Sequence, residues 1–381
     1  MVYEKLRGDH LFDGKKLHGN DKVLIIGKAG ISEVIDLNEA GDDVQYIPGL
    51  ITPGFANSHC HLELSHMKGI IPVHTGLVPF LINVIQQRNI SDTDIEHAID
   101  QAIKEMQNDG IIAVGDICNT ALTVPHKLQA SIHWHNFIEV LSLNDANAEI
   151  RIKQNLELLQ QFSRAGLKQT VLSPHAPYSI SAETFRKINQ STAGKTITIH
   201  NQESSAENEL YISGGGPFLQ LYEHLGFSTV PILKTGKSSI QSFLPNFNLG
   251  QKIILVHNTY MTEADIQWAN EYASSHEIEL AFCFCINANL YIENTCPNIP
   301  LFIKNNCQII LGTDSYSSNW NLKISEEIKT IHQKFPQIPV EEILRWSTIN
   351  GLNTLNAQSS WITGSKVLEK IGYSKNDFSD K

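Results

Sequence analysis

Long apolar runs and an excess of basic residues are both missing from this chain of 381 residues. No segment approaches the ~20 apolar residues that a membrane-spanning helix needs. Residues 1–20 lack the apolar core of a signal peptide, so we expect a cytoplasmic protein. The formal net charge is −11, with 29 lysines and arginines against 40 acidic residues. This balance argues against a nucleic-acid partner, whereas a neutral or cationic small molecule is compatible with it.

Cysteine and glycine motifs are also sparse. The six cysteines contain no CxxC pair and form no small disulfide framework, which favours reduced thiols in a cytoplasmic protein. No GxGxxG motif follows the first strong strand, which weakens a dinucleotide-binding interpretation. The composition, 41% hydrophobic and 18% charged, is typical of a soluble globular protein.

What the chain does contain is a long alternation of strand-like and helix-like segments. The predicted strands are 51–58, 111–116, 131–139, 169–173, 195–200, 252–257, 279–284 and 308–313. Alternation over some 300 residues predicts an α/β fold, a (β/α)8 TIM barrel at 51–355 rather than an open doubly wound sheet. Residues 1–50 are predicted to form a small flanking β layer, the N-terminal portion of a β-sandwich. Residues 356–381 form a C-terminal tail.

The most informative stretch is residues 51–65, ITPGFANSHCHLELS. His59 and His61 are two residues apart, and on a strand such side chains point to the same face. Several later strands also end on a group that can bind metal or move protons: His175, His200, His257 and Asp314. A barrel of parallel strands gathers such groups at its C-terminal face.

Four of these residues can surround one metal ion: His59, His61, His200 and Asp314. Three neutral imidazoles and one carboxylate suit Zn, Fe or Mn rather than Ca or Mg. A metal of this type lowers the pKa of its bound water from about 15.7 towards 7. The sequence therefore predicts a metal-dependent hydrolase.

Three residues can move or hold protons beside that metal. Asp314 can take the proton of the attacking water, and His257 can hydrogen-bond the water or the developing oxyanion. Glu203 lies just past a strand end, where its carboxylic acid can protonate a ring nitrogen. Together these steps make a hydrolytic deamination of an amino-substituted heterocycle.

The motifs around these residues resemble those of the amidohydrolase superfamily, most closely its branch of cytosine-deaminase and chlorohydrolase-related enzymes. The resemblance covers about residues 45–355 and rests on PGFANSHCH, His200 with Glu203, LVHNTYMTEADI and LGTDSYSSN. It implies a (β/α)8 barrel with a small β-sandwich and one divalent metal. It also implies that the four residues named above are the metal ligands, and that Glu203 and His257 are the acid/base partners.

Two further motifs narrow the resemblance. HLELS after the metal pair and SPHAPYS around His175 are similar to aminofutalosine deaminases and to deaminases of S-adenosylhomocysteine and methylthioadenosine. In such relatives the histidine matching His175 contacts the substrate. The implied substrate is a small heterocyclic compound, most simply an adenine nucleoside.

The chain also departs from the family pattern. Residues 356–381 are polar and short, so the tail either completes the sandwich or leaves it reduced. No lysine lies within strand 169–173 to be carboxylated, which argues for one metal ion rather than two. Zn is the metal expected first, with Fe as the alternative.

Other polar residues are weaker candidates. Glu63, Glu139 and Asn289 are predicted to contact substrate, although Glu63 serves equally well as a structural cap and Asn289 as a loop cap. Glu207 lies one helical turn past Glu203 and is predicted to lie on a solvated helix face. Loops 62–78 and 203–250 are expected to shape the pocket.

Two alternatives stay open. The same metal site can hydrolyse a cyclic amide or another C–N or C–Cl bond, or the barrel can bind a metal or ligand without turnover. Glu203 favours deamination, because a cyclic-amide hydrolase has less need of an acid for a ring nitrogen. The sequence does not determine the oligomeric state, for which a homodimer is one possibility.

Overall fold

The computed structural model describes residues 3–27, 32–227, 229 and 234–364. Its strands are β1 (Glu4–Arg7), β2 (His10–Phe12), β3 (Leu17–His18), β4 (Lys22–Ile26), β5 (Ser32–Asp36), β6 (Gln45–Tyr46), β7 (Leu50–Pro53), β8 (Phe55–Cys60), β9 (Ile111–Cys118), β10 (His133–Val140), β11 (Thr170–Pro174), β12 (Thr196–Asn201), β13 (Lys252–His257), β14 (Glu279–Phe284), β15 (Ile309–Leu311) and β16 (Trp361–Gly364).

The helices between them are α1 (Leu77–Gln87), α2 (Asp92–Asp109), α3 (Val124–Gln129), α4 (Ala148–Ala165), α5 (Ala182–Ser191), α6 (Ser205–Ser213), α7 (Phe218–His224), α8 (Ser239–Phe243), α9 (Glu263–Ser275), α10 (Ile286–Glu293), α11 (Ile299–Lys304), α12 (Ile324–Lys334), α13 (Val340–Arg345) and α14 (Gly351–Thr354). Within the described ranges, none of them combines the length and the apolar character needed to cross a bilayer.

Two parallel sheets of four strands form the centre of the fold. One has the order β8-β9-β10-β11 and the other β12-β13-β14-β15, so spatial order follows chain order in both. At one junction the backbone N–H of His200 donates to the carbonyl of His175 (3.0 Å). At the other, Cys60 and Asp314 form a parallel bridge. The predicted α/β class with parallel strands is confirmed.

Local sequence explains these elements. The parallel strands are buried on both faces and read as continuous apolar runs, such as Ile253–Val256 in β13. Helix α2 begins after Ser91, whose side chain accepts a hydrogen bond from the Asp94 N–H, and ends at Gly110 with φ of 91°. Thr262 and Asp265 form a reciprocal capping box at the start of α9.

The N-terminal segment forms two small sheets, with orders β5-β4-β1-β6 and β16-β7-β2-β3. A small apolar cluster lies among them, made of Leu6, Leu11, Leu24 and Ile51. The C-terminal strand β16 returns to pair antiparallel with β7. The tail therefore adds a strand to the N-terminal layer, and residues 365–381 lie outside the described part of the chain.

The prediction of one strand over 51–58 is wrong in its extent. Two strands occupy this region, and they belong to different sheets: β7 pairs with β2 and β16, whereas β8 pairs with β9. The chain changes sheet at Gly54, where a Cβ atom would lie 2.6 Å from the Ile112 side chain. The close packing of the Gly54 backbone against Ile112 thus divides a segment that the sequence pattern predicts as one strand.

Candidate metal centre and active site

Four side chains converge where strands β8, β12 and β15 end. The donor atoms of His59, His61, His200 and Asp314 all lie within 4.8 Å of one another. The Nε2 atom of His61 is 3.2 Å from Nε2 of His59 and 3.3 Å from Nε2 of His200. The Oδ1 atom of Asp314 is 3.4 Å from Nε2 of His61. The structure thus brings together the four residues that the sequence predicted as ligands.

The charge states of this cluster suit a divalent cation. Burial holds the pKa of His61 at about 3 and the pKa of His200 well below its usual value, so both rings are neutral. Burial opposes ionisation of Asp314, but its contacts with the histidines, His59 first, hold its pKa well below the usual value. His200 donates its Nδ1–H to the carbonyl of His175 (2.7 Å), which leaves the Nε2 lone pair facing the cluster. Metal binding requires such neutral imidazoles and an ionised carboxylate.

Two residues of the site have unusual backbone conformations. His257 has φ of 72° and Asp314 has φ of 59°, both in the left-handed region that non-glycine residues rarely adopt. The Asp314 N–H donates to the carbonyl of His59 (3.0 Å), which fixes this conformation. The strained turns aim both side chains inward from the strand ends, a common feature of functional sites.

Glu203 and His257 face each other beside the metal cluster. The Nε2 atom of His257 is 3.6 Å from Oε1 of Glu203. Burial, with the nearby charge of Asp314, raises the pKa of Glu203 well above its usual value, which favours the protonated form of this carboxyl group. His257 donates its Nδ1–H to Oδ1 of Asn289 (2.7 Å). Burial lowers the pKa of His257 to about 4, so its Nε2 is a hydrogen-bond acceptor.

The hydrogen bond from Nδ1 favours contact of His257 with the attacking water over contact with the oxyanion. A neutral ring that already donates from Nδ1 can accept a hydrogen bond from water at Nε2, whereas it has no proton there for an oxyanion. Asn289 was predicted to contact substrate, and the structure places its side chain against His257. Its direct contact with substrate stays a prediction.

A cavity of about 310 Å³ opens onto the cluster. His61, His200, Glu203 and Asp314 form its polar floor. The predicted substrate contacts Glu63, Glu139 and His175 also line it, as do apolar side chains of α1 and α7. The expectation that loops 62–78 and 203–250 shape the pocket is confirmed, since Glu63 and Leu64 of the first and Leu221 and Tyr222 of the second line it. Most of α1 lies beyond residue 78, so its part in the wall was not predicted.

The polar wall of the cavity is built around Glu63 and Glu139. Glu63 accepts hydrogen bonds from the backbone N–H groups of Thr120 (2.7 Å) and Asn119 (3.1 Å), so it caps this loop as well as lining the cavity. Glu139 accepts from the Asn119 side chain at Oε2, while its buried Oε1 has no hydrogen-bond partner among the described residues. Burial raises the pKa of both carboxyl groups to about 7.

A second group of candidate ligands shares one residue with the first. Donor atoms of Glu139, His175 and His200 also lie within 4.8 Å of one another. The Nε2 atom of His175 is 3.9 Å from Oε1 of Glu139. This group has three donors against four in the first, and it shares His200 with it, so it is the poorer metal site of the two. Its other two residues, Glu139 and His175, suit hydrogen bonds to a substrate.

Arg88 and Asn119 are among the polar cavity residues that the sequence motifs did not predict. Asn119 follows β9 in a loop whose path depends on Glu63, so no local pattern indicates its position. Arg88 continues the helical spacing that starts at Leu77, and that spacing could have identified it.

An ion pair with no exposed surface lies beneath the turn after His61. Lys127 of α3 and Asp116 of β9 are 2.6 Å apart, and both side chains have 0% exposure. Asp116 also accepts a hydrogen bond from the Leu62 N–H (2.8 Å). Lys127 donates to Oδ1 of Asn136 (2.7 Å). The pair therefore links the residue after His61 to two strands and a helix.

Removal of this lysine should destabilise the fold strongly. Lys127→Met leaves the Asp116 carboxylate buried without its cation, and such losses cost about 3–5 kcal/mol. We expect urea unfolding to show this loss. Lys252→Met is the control, because it breaks a more exposed ion pair with Glu279 and should cost roughly 1 kcal/mol or less. Equal stability of the two variants would contradict this role of the buried pair.

The prediction for Glu207 is wrong, since its side chain is buried rather than solvated. Its Oε1 accepts hydrogen bonds from the Gln202 N–H (3.0 Å) and from the Ser239 hydroxyl (2.5 Å). Ser239 is 32 positions away in sequence, so helical spacing alone cannot reveal this partner. Glu207 thus links α6 to the start of α8 through a hydrogen bond.

Glu207 should make stability depend on pH. Burial raises its pKa to about 7 from the ordinary 4.5, so the folded state holds this proton more tightly than the unfolded state. The stabilisation that comes from this more tightly held proton is fully present below pH 4.5, and it is lost as the pH rises through about 7. Glu207→Gln removes this titration. Urea unfolding should therefore show the variant gaining about 2 kcal/mol relative to the unaltered protein between pH 5 and 8. A constant difference across this range would disprove the assignment.

Comparison with known proteins agrees with this site. Residues 50–360 match the sequence profile described as the amidohydrolase family. The aminodeoxyfutalosine deaminase of Nitratiruptor sp. is 26% identical over 285 residues, which are 74% of this chain and 67% of that protein. The 5-methylthioadenosine/S-adenosylhomocysteine deaminase of Desulfitobacterium hafniense is 24% identical over 356 residues, which are 88% of this chain and 74% of that protein.

A solved structure shows the same fold. Helicobacter pylori aminofutalosine deaminase in complex with methylthio-coformycin superposes with a TM-score of 0.77 at 18% identity, over 97% of this chain and 95% of that one. The fold and the His/Asp cluster define a hydrolase that uses a divalent metal. The chain belongs to the amidohydrolase family.

Proposed function

We propose that this protein deaminates an adenine nucleoside by hydrolysis at a single divalent metal ion. The observation that carries the proposal is the juxtaposition of a complete His/Asp donor set with the buried carboxyl group of Glu203 in one cavity. The names of the relatives support the substrate class, since they are deaminases of aminodeoxyfutalosine, methylthioadenosine and S-adenosylhomocysteine.

The proposed metal ligands are His59, His61, His200 and Asp314. This donor set favours zinc, with iron as the alternative. When bound, the metal lowers the pKa of a water molecule so that hydroxide is available at neutral pH. Elemental analysis of the purified protein should find close to one equivalent of metal.

The protein side chains carry the protons of the reaction. The water oxygen attacks C6 of the purine while Asp314 takes one water proton at its carboxylate. Glu203 gives its carboxylic proton to N1 of the ring. Asp314 then passes its proton to the leaving amine, the C6–N bond breaks, and ammonia departs. Glu203 regains a proton from the hydroxyl at C6, which becomes the carbonyl of the product.

The remaining residues orient the reactants. His257 accepts a hydrogen bond from the attacking water at Nε2, and Asn289 holds its ring. We propose that His175, Glu139 and Glu63 contact the base and sugar. The unpartnered Oε1 of Glu139 supports this, because a buried acceptor without a partner is costly unless the substrate supplies one.

We also propose that the two parallel sheets close into a (β/α)8 barrel over residues 51–355. The junction bonds at His175–His200 and Cys60–Asp314 support closure, since they join the last strand of each sheet to the first of the other. Residues 1–50, with β16 of the C-terminal tail, supply the flanking β-sandwich, which the shared apolar cluster supports.

The test compares reaction classes on metal-reconstituted protein. We expect ammonia release from adenosine, methylthioadenosine, S-adenosylhomocysteine or aminodeoxyfutalosine, and no ring opening of dihydrouracil or hydantoin. Protein stripped of metal by a chelator is the control and should be inactive. Ring opening without ammonia release would replace the proposal with the cyclic-amide alternative. Metal binding without turnover of any compound would favour a barrel that only binds.

A further inference from the structure

One face of helix α1 forms a wall of the cavity. The residues of this face recur at helical spacing and all line the cavity: Leu77, Phe80, Leu81, Val84, Ile85 and Arg88. At 1.5 Å per residue this face is about 16 Å long. It is apolar along its length and ends in one cation.

Helix α7 supplies an apolar wall of its own. Leu221, Tyr222 and the following Leu225 line the same cavity, and α1 and α7 share an apolar cluster that is separate from the main core. Some of the lining is exposed: Ile85 by 38% and Leu225 by 42%. Leucine and isoleucine at the rim of a substrate cavity suit a ligand that carries an apolar group outward from the metal.

Arg88 differs from the other arginines. Each of the other five has a side-chain partner: Arg7 on Tyr46, Arg151 on Gln154, Arg164 on Gln160, Arg186 on Glu183 and Arg345 on Glu342. Among the described residues no ion pair or hydrogen bond is found for the Arg88 guanidinium. It is also the only lysine or arginine among the described residues that line this cavity.

The charges around Arg88 restrict what can bind there. The cavity also contains Glu63, Glu139, Glu203 and Asp314, in a protein of net charge −11. Among the described side chains that line the cavity, Arg88 is the one with a permanent positive charge, so it is the side chain best suited to pair with a carboxylate on the substrate. A guanidinium can bind a carboxylate through two parallel hydrogen bonds, which makes it selective for this group.

We propose that Arg88 determines specificity by binding a carboxylate at the end of an apolar 5′ substituent of the nucleoside. This inference rests on the proposed function for its nucleoside. The apolar faces of α1 and α7 hold the substituent, and Arg88 pairs with its anionic end. Nothing in the reaction steps requires Arg88, so its contribution lies in binding.

The test uses two substrates that differ only in charge. They are 5′-deoxyadenosines whose 5′ sulfur carries a 4-carboxybenzyl group or the matching 4-carboxamidobenzyl group. Arg88→Met should lower kcat/KM about 50-fold for the carboxylate and less than about 3-fold for the carboxamide. Arg88→Lys should recover part of the loss. Arg186→Met, at a surface arginine paired with Glu183, should change neither value.

Equal losses on both substrates would overturn the inference, because Arg88 would then hold the shared base or sugar. Calorimetric binding of the same two compounds separates this inference from the proposed function. If the unaltered protein turns over neither compound but binds the carboxylate more tightly, and Arg88→Met removes that preference, Arg88 keeps its role while the deaminase proposal fails. Equal binding of both compounds would overturn the role of Arg88.

Discussion

Asp314→Asn should lower kcat/KM for an adenine nucleoside by roughly 10⁴-fold. The amide cannot take the proton of the attacking water, and it is a weaker ligand than the carboxylate. The side chain lies within 3.6 Å of the Nε2 atoms of both His59 and His61, so one substitution affects both functions. Steady-state kinetics with measured metal content will report the loss.

Ser318→Ala is the matched control for this variant. The Ser318 hydroxyl donates to Oδ2 of Asp314 (2.5 Å), so its removal keeps the carboxylate and weakens only its support. We expect a loss of about 10-fold to 100-fold for this variant. If Asp314→Asn kept its full metal content and more than a tenth of the activity, Asp314 would be neither an essential ligand nor the base.

Glu203→Gln should lower kcat by roughly 10³-fold with little change in KM. Glutamine has nearly the same shape but no acidic proton for N1, so the ground-state complex persists while ring protonation fails. Burial raises the pKa of Glu203 well above its usual value, which favours the protonated state that this role requires. The comparison of kcat with KM separates a lost proton donor from a damaged pocket.

Glu207→Gln, in α6 four residues after Glu203, serves as the control. Glu207 is equally buried but bonds to Gln202 and Ser239 rather than lining the cavity. Its substitution should leave kcat within about 3-fold of the unaltered value, well short of the loss of a catalytic acid. Equal losses in the two variants would show that both buried acids act by supporting the fold, and Glu203 would lose its assigned role.

The strand ends that carry the site could be read from the sequence. Each is a buried apolar run followed at once by a ligand or acid/base group, as in Lys252–His257. Helix caps are similarly local features of the sequence: Ser91, Ser181 and Thr262 cap α2, α5 and α9. These features depend on residues a few positions apart, so the local sequence is sufficient to predict them.

Features that depend on distant partners could not be read in this way. The prediction that Glu207 lies on a solvated helix face was wrong, because Ser239 packs against its carboxyl group and donates a hydrogen bond to it. The Asp116–Lys127 pair joins a strand to a helix, and neither residue indicates its partner in sequence. The passage of the chain from one sheet to another at Gly54 depends on contact with Ile112, 58 positions later in the sequence. In each case the burial of a side chain is decided by tertiary packing.

The most direct test of the central claim is mass spectrometry of the nucleoside after incubation with metal-loaded protein in ¹⁸O-labelled water. Methylthioadenosine and aminodeoxyfutalosine are the compounds to use first. The proposed chemistry predicts conversion of the 6-amino group to a 6-oxo group that carries one solvent oxygen, with one ammonia released per turnover. Unchanged nucleosides, or free adenine in place of the 6-oxo product, would contradict it.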